Sequence, residues 1–226
     1  MKISEECIVA VIPALNEDEK IESIVTEVAD HTDYVVVVDD GSTDETGQRA
    51  REAGAVVVTH EENKGYDQSI DDGFVKAEAL GATVVFTFDA DGQHFAADIP
   101  RVLAPIRAGT ADVVVGIRPT KARISEYLFG LYSSTRIGVA DPLCGFKAYR
   151  IEVYRDAGCF DSHSTIGTQL MLQADKHGYD IEQTGIQLAE REDEPRFGRR
   201  LEANWKIFQA IGRLAWFDLT TTASTT

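Results

Sequence analysis

Short apolar runs cut off by polar turns alternate with longer stretches in which apolar residues recur every three or four positions. The runs at 7–12, 34–38, 55–59, 83–88 and 112–116 are rich in Val, Ile and Phe, and each reads as a buried strand. Between them the spacing predicts helices over 18–29, 42–53, 66–80 and 97–107. Ile21, Ile24, Val25 and Val28 share one face of the first, Ser42 or Thr43 caps the second, and Gly54 and Gly81 stop the second and third. The second half is less regular. Residues 121–138 mix helix and loop, 144–149 and 181–188 read as strands, and 166–177 reads as a helix closed by Gly178. A charged loop over 190–200 leads into an apolar-rich helix over 201–219 and a frayed tail over 220–226. Strands alternating with helices of this size predict an α/β fold, a mostly parallel central sheet flanked by helices. One domain is expected over 1–219, with a nucleotide-binding half (1–116) and an irregular acceptor-binding half (117–219).

Two of the strands end in chemically unusual turns. The run Val84-Val85-Phe86-Thr87-Phe88 ends on Asp89-Ala90-Asp91-Gly92-Gln93-His94, and the run 34–38 ends on Asp39-Asp40-Gly41-Ser42. Ligands of open α/β sheets bind at the carboxyl ends of the strands. Two carboxylates and an amide oxygen there suit Mg²⁺ or Mn²⁺, which take hard oxygen ligands and bridge to substrate phosphates. The competing reading is an acidic turn in each case, with Asp40 or Ser42 as a helix cap. His94 is either a phosphate contact or a surface histidine, and Asn63-Lys64-Gly65 either a phosphate-facing turn or a plain one. No Gly-x-Gly-x-x-Gly follows the first strand and no P-loop occurs, which excludes a dinucleotide fold and P-loop chemistry.

Composition narrows the partners. Asp and Glu number 38 against 22 Lys and Arg, a net charge of -16. That excludes a nucleic-acid partner, which needs a basic footprint, and argues against purely electrostatic docking on anionic lipid. Such a surface fits a salt-rich cytoplasm, where screening removes self-repulsion, so a halophilic origin is expected. Three cysteines without metal spacing read as reduced, and the N-terminus lacks the pattern of a signal peptide. No apolar run reaches the ~18 residues of a membrane span. A cytoplasmic protein, peripheral on a membrane if its substrate is a lipid, is expected.

Five segments then carry a resemblance. Pro13-Ala14-Leu15-Asn16-Glu17, Val38-Asp39-Asp40-Gly41-Ser42-Thr43-Asp44, Asn63-Lys64-Gly65, Asp89-Ala90-Asp91-Gly92-Gln93-His94 and Asp141-Pro142-Leu143-Cys144-Gly145-Phe146-Lys147-Ala148-Tyr149-Arg150 stand in the order and spacing of a family 2 glycosyltransferase of the GT-A fold. Over about residues 7–191 the chain resembles dolichyl-phosphate mannose synthases and related polyprenyl-phosphate hexose synthases. The resemblance implies a nucleotide-sugar donor of the GDP-mannose or UDP-glucose type, held by Pro13, Ala14, Asn16, Glu17, Asp39, Asp40, Lys64, Asp89, Ala90 and Asp91. It implies a divalent metal, Mg²⁺ or Mn²⁺, on Asp89, Asp91 and Gln93. A polyprenyl or dolichyl phosphate acceptor would meet Lys121, Arg123, Ser125, Arg196, Arg199 and Arg200, with Asp91, Arg118 and Asp141 as catalytic residues. For the late arginines a solvated face is the alternative.

The chain departs from the family in two places. Gly167, Thr168 and Gln169 stand where a glutamate usually opens a helix, and Gly198-Arg199-Arg200 replaces Gly-x-Ser-Lys. Phe88-Asp89-Ala90-Asp91-Gly92 superficially resembles a haloacid-dehalogenase nucleophile motif, but three strands precede it here and that motif belongs on the first. Two other readings stay open: transfer to a glycan or small-molecule hydroxyl, for which Asp141 would have to serve as base, and a non-catalytic nucleotide-sugar binder. In the helix over 201–219, Ile207, Phe208, Ile211 and Leu214 form a core stripe, and Trp216 and Phe217 are left as candidates for a membrane interface.

Overall fold

The computed structural model describes residues 6–120, 123–189 and 200–222, without the side chains of 200–203 and 221–222. Seven strands form one sheet: β1 (Ile8–Ala14), β2 (Tyr34–Asp39), β3 (Val56–Thr59), β4 (Val84–Thr87), β5 (Val113–Ile117), β6 (Lys147–Arg150) and β7 (Ile181–Gly185). Their order is β3-β2-β1-β4-β6-β5-β7. The helices are α1 (Ile21–Ala29), α2 (Thr46–Glu52), α3 (Tyr66–Ala79), α4 (Ile99–Ala108), α5 (Ile124–Ile137), α6 (Ile151–Ala157), α7 (Gln169–Lys176) and α8 (Arg200–Thr222). No helix among the described residues is long and apolar enough to cross a membrane.

The inner strands β1, β2, β4 and β5 are buried on both faces, and their side chains alternate between two cores. Val9 and Val11 of β1 join one core with α3, α5, α6, α7 and α8; Ile8, Ala10 and Ile12 join the other with α1, α2 and α4. Chain direction across the sheet reverses at β1, because β2 and β3 lie on one side of it and β4 on the other. The carboxyl ends of β1 and β4 therefore border the crevice where open α/β sheets take ligands.

The sheet is mostly parallel, as expected, and β6 is its antiparallel member. It runs antiparallel to both β4 and β5, with Lys147 opposite Thr87 and Val115. Its first residue, and the segment 141–146 before it, therefore arrive at the carboxyl edge of its neighbours. The strand expected over 144–149 begins only at Lys147, and α6 follows where no helix was expected. Within the stretch 121–138, expected as mixed, Ile124–Ile137 form α5, which ends on a left-handed Gly138 cap. The helix expected from 166 starts at Gln169, because Ile166 and Gly167 are left-handed, with φ of +57° and +65°. Asp161 holds that turn by accepting from the Thr165 and Gly167 amides. The tail expected from 220 continues α8 through Thr222, and α2 starts at Thr46 because Asp44, not Ser42 or Thr43, accepts its amide.

Phe74 of α3 is fully buried against Tyr149, Tyr154 and Phe160. Phe74→Ala should cost about 3–5 kcal/mol, read from urea denaturation. Asp67 of the same helix has a buried Oδ1 without a hydrogen-bond partner in the structure. Burial and the Asp161 charge push its carboxyl up to about 7, against the pull of Lys147 and a Gly167 backbone hydrogen bond. The folded state thus holds a proton that the unfolded chain releases near its ordinary 3.8. This contribution to stability is full below that value and is lost as pH rises through 7. Asp67→Asn should remove it, so urea midpoints of variant and native protein should diverge, in favour of the variant, between pH 5 and 8. Parallel midpoints would contradict the assignment.

Candidate active site

Beside the carboxyl ends of β1 and β2, two loops are stitched together. Asn16, at φ +52°, donates its amide to Ser42 Oγ (3.0 Å), and its side-chain oxygen accepts from the Thr43 amide (2.8 Å). The Glu17 amide donates to Thr46 Oγ1 at 2.8 Å. Asp39 is buried and accepts from the Ser42 amide, and a Cβ at Gly47 would overlap its carboxylate. Asp40 carries the Asn63-Lys64-Gly65 turn. Its oxygens accept from the Lys64 and Gly65 amides (2.8 and 2.9 Å), and Oδ1 also meets His60 Nδ1 at 2.7 Å. His60 Nε2 meets Asp72 at 2.8 Å, and the half-exposed Lys64 ammonium lies 3.4 Å from the same carboxylate.

β4 delivers Phe88 into the core and Asp89 to the edge. Asp89 Oδ2 is 3.1 Å from His94 Nε2, and the backbone of Gly145 lies so close that no Cβ would fit beside the carboxylate. Burial raises the Asp89 carboxyl, but the His94 hydrogen bond and the charges of His94, Lys147 and Arg118 outweigh it and hold the group below its ordinary range. Asp91 Oδ1 accepts from the Gln93 amide at 3.0 Å, which closes the turn, and the Asp91 carbonyl accepts from Lys20 Nζ. His94 is no surface residue: it is buried between Phe88 and Phe146.

The metal expectation can be tested on this donor set. Among the described residues no three His, Cys, Asp or Glu side chains cluster in a way that would hold a metal by themselves. Asp89, Asp91 and Gln93 nevertheless face one cleft, all offer oxygen, and Asp89 is kept ionised. Mg²⁺ is commonly bound by one or two carboxylates, with waters and substrate phosphates completing its shell. The residues fit such an ion in the presence of a diphosphate.

Across the cleft, between the end of β5 and the start of α5, four charges alternate. Arg118 follows β5 and grips Asp141 through Nε–H···Oδ2 and Nη2–H···Oδ1 bonds, both 2.8 Å, and its amide also donates to Oδ2. Arg118 Nη2 reaches Glu126 at 3.2 Å, and Glu126 accepts in turn from Arg123 at 3.1 Å. Burial lowers the Arg118 pKa, but the Asp141 hydrogen bond and the two carboxylates raise it further, above the ordinary guanidinium value. Asp141 is 1% exposed with both oxygens engaged by Arg118, which does not suit the base expected if a hydroxyl were the acceptor. Ser125 is also buried, and its hydroxyl donates to Asn204 of α8, in the packing between helices.

These parts meet in a cleft of about 280 Å³. Of the expected residues, Pro13, Glu17, Asp89, Ala90, Asp91, Gln93, Arg118 and Arg123 line it. Ala14, Asn16, Asp39, Asp40, Lys64, Ser125 and Asp141 do not; they lie in the loops and core around it. Lys121, Arg196 and Arg199 lie outside the described residues, as does the side chain of Arg200. Tyr66, Glu126, Lys147, Ile166 and Ile207 line the cleft without having been expected there from the sequence. Arg123-x-x-Glu126 is a visible i, i+3 pair on a helix start. Lys147 stands in the segment 141–150 that resembles the family, but nothing in that segment signals burial: it is 3% exposed and donates to the Gly167 carbonyl at 3.1 Å. Burial lowers its pKa. Cys144 also lines the cleft, and burial pushes its thiol up to about 12, so it is no nucleophile at neutral pH.

Comparison with known proteins places this geometry. Polyprenol monophosphomannose synthase of Mycolicibacterium smegmatis is 31% identical over 205 residues, 80% of this chain and 77% of that protein. Undecaprenyl-phosphate mannosyltransferase of Micrococcus luteus is 32% identical over 66% of this chain and 68% of its own. UDP-N-acetylglucosamine–dolichyl-phosphate N-acetylglucosaminyltransferase of Methanococcus voltae is 34% identical over about half of each chain, 51% and 53%. Glucosyl-3-phosphoglycerate synthase from Mycobacterium tuberculosis, solved with Mn²⁺ and UDP-glucose, shares the fold at a TM-score of 0.75 and 22% identity, over 93% of this chain and 80% of that one. Residues 9–157 match the family described as glycosyl transferase family 2. With its strand-end Asp89-Ala90-Asp91 facing the cleft, the chain belongs to that family and is a glycosyltransferase of the GT-A type.

Proposed function

We propose that this glycosyltransferase moves one hexose, mannose or glucose, from a nucleotide sugar to a dolichyl or polyprenyl phosphate, with inversion and with the help of Mg²⁺ or Mn²⁺. The observation that carries the reading is the engagement of Asp141. A hydroxyl acceptor must lose a proton as it attacks and needs a base near it. An acceptor phosphate is already anionic near neutral pH and needs only positioning and charge compensation. The acceptor side offers guanidinium groups, at Arg118 and Arg123, and its buried carboxylates are committed to them. That suits a phosphate. Relatives at about 30% identity carry names of polyprenyl-phosphate sugar transferases, which supports the same choice.

Each side has its task. Pro13 and Glu17 border the donor end of the cleft, beside the loops that Asn16, Asp39 and Asp40 keep in shape. Asp89, Asp91 and Gln93 would hold the divalent ion, which when bound supplies Lewis-acid charge compensation to the leaving diphosphate. His94 and Lys147 keep Asp89 ionised for that purpose. Asp141 aims Arg118 through two parallel bonds, and Glu126 sets Arg123. Lys121, Arg196, Arg199 and Arg200 remain candidates for the acceptor phosphate. Such an acceptor would put the protein on the cytoplasmic face of a membrane, in a peripheral position.

The test is transfer of labelled sugar from a panel of UDP- and GDP-hexoses to dolichyl phosphate in detergent, in high salt with Mg²⁺ or Mn²⁺, with 3-phosphoglycerate as the hydroxyl acceptor. Label should enter the lipid product. Asp91→Ala should lower the rate about a hundredfold, the equivalent of roughly 3 kcal/mol. Label on 3-phosphoglycerate alone would overturn the lipid-phosphate reading, and nucleotide-sugar binding without transfer would point to the non-catalytic reading. A second prediction separates two roles of Asp141. If it positions Arg118, Asp141→Asn lowers kcat and leaves the shape of the pH–rate profile unchanged; loss of the acidic limb would identify a general base.

A further inference from the structure

Twelve large hydrophobic side chains are exposed among the described residues, and eight of them lie on α5 and α8. On α5 they are Ile124, Tyr127, Leu128 and Leu131, at i, i+3, i+4 and i+7, a stripe about 100° wide at 100° per residue. Phe129, Gly130, Ser133 and Ile137 bury the opposite face. On α8 they are Trp205, Phe208, Trp216 and Leu219, which fall within about 80° of one another. Ile207, Ala210, Leu214 and Phe217 bury the far side, so Phe217, expected as a membrane candidate, belongs to the core. Both helices thus have two apolar faces, one inward and one outward.

The two helices lie side by side in the same direction. Ser125 bonds Asn204 at their beginnings, and Arg136 pairs with Asp218 at their ends. Charge is distributed unevenly around them. In a chain of net charge -16, the described side chains of 123–137 and 204–220 include only two carboxylates, Glu126 and Asp218. Glu126 is buried, and Asp218 is 14% exposed between Arg136 and Lys176. The exposed charges beside the α8 stripe are Lys206 and Arg213. A shallow groove lined by His163, Gln209, Gly212, Arg213 and Trp216 runs along that basic flank. The inner faces of the same helices reach the catalytic cleft: Arg123, Glu126 and Ile207 line it, each next in sequence to a stripe residue.

We propose that the outward faces of α5 and α8 together form a docking surface for an anionic lipid bilayer. Trp and Tyr belong at the level of the headgroups, aliphatic side chains just below them, and Lys and Arg against lipid phosphates. A face whose described side chains include no exposed carboxylate is what contact with anionic lipid requires. The purpose rests on the lipid-phosphate reading: seated in this way, the protein opens its acceptor end at the depth where a polyprenyl phosphate group lies. The surface itself rests on the exposed apolar stripes and the charges beside them.

The experiment is flotation of the purified chain with phosphatidylglycerol–phosphatidylcholine vesicles, at low salt and at 1 M salt, where the Debye length is about 3 Å. The protein should float at 1 M salt, at least as well as at low salt. Its tryptophan emission should shift to the blue and be quenched by brominated lipid in the unmodified protein. Trp205→Ser with Trp216→Ser, and separately Tyr127→Ser with Leu131→Ser, should lower the bound fraction about tenfold, as expected when buried apolar area is lost. UDP- or GDP-hexose binding should stay unchanged in both variants. Failure to float at 1 M salt, without quenching, overturns the proposal; if the native chain is then a dimer that these substitutions dissociate, the surface is a contact between copies. Flotation without transfer to dolichyl phosphate would overturn the acceptor reading and leave the docking surface standing. Transfer to a water-soluble short-chain isoprenyl phosphate without flotation would do the reverse.

Discussion

A carboxylate at the end of a fully buried strand has to be kept charged, and much of the second half of this chain is arranged around that need at Asp89. Val84 to Phe88 are buried, so the group emerges from a dry core. Desolvation alone would favour its protonated form. His94 comes from the same turn, but Lys147 and Arg118 come from the second half of the chain. Lys147 can reach because β6 runs antiparallel to β4 and starts where β4 ends. A parallel β6 would put Lys147 and Gly145 at the far edge of the sheet. Gly145 matters for a related reason, since a side chain at that position would occupy the space the Asp89 carboxylate fills. Topology and electrostatics are here one constraint.

The Arg118–Asp141 network solves a different problem. Burying Asp141 and Glu126 would be costly without partners, and their pairing with Arg118 and Arg123 makes the group neutral as a whole. Paired in this way the arginines are oriented but not fully available, so the acceptor phosphate proposed above would have to share the guanidinium of Arg118 with Asp141. Removing Asp141 would free a charge and lose its aim. Removing Arg118 would leave two buried carboxylates facing each other's field, a change that costs several kcal/mol in buried pairs, roughly 3–5 kcal/mol. The same residues therefore carry stability and geometry, and a fall in activity at either position has to be separated from a fall in folding.

The sequence was most legible where burial is two-sided and local. The five apolar runs are strands, and both acidic turns stand at carboxyl ends of parallel strands, because continuous Val, Ile and Phe stopped by Asp and Gly leave few alternatives. Asp39 and Asp40 also have local partners that spacing does not reveal: Asp39 Oδ1 accepts from the Ser42 amide, and the Asp40 oxygens meet the Lys64 and Gly65 amides and His60. The direction of β6 was not legible, since a four-residue strand carries no mark of polarity and its neighbours are set by contacts far away in sequence. Lys147 was missed for the same reason: a lysine reads as surface unless the strand that carries it is known to be central. The left-handed Ile166 shortened α7, against the preference of a β-branched residue, and only the Asp161 cap explains how the turn is held.

A helix that is apolar on opposite sides has little net amphipathicity, so α5 reads as mixed helix and loop, and in α8 Phe208 reads as core although it is exposed. Only burial separates Phe217 from Trp216, adjacent in the chain and about 100° apart around the helix. The acidic composition then takes on a second meaning. At low salt a chain of net charge -16 is repelled as a whole by an anionic surface, whatever two basic residues do locally. At high salt that repulsion is confined to a few ångströms, while apolar contact is if anything strengthened. The conditions under which so acidic a surface is tolerable are therefore the conditions under which an apolar helix face, and not net charge, decides what the protein binds.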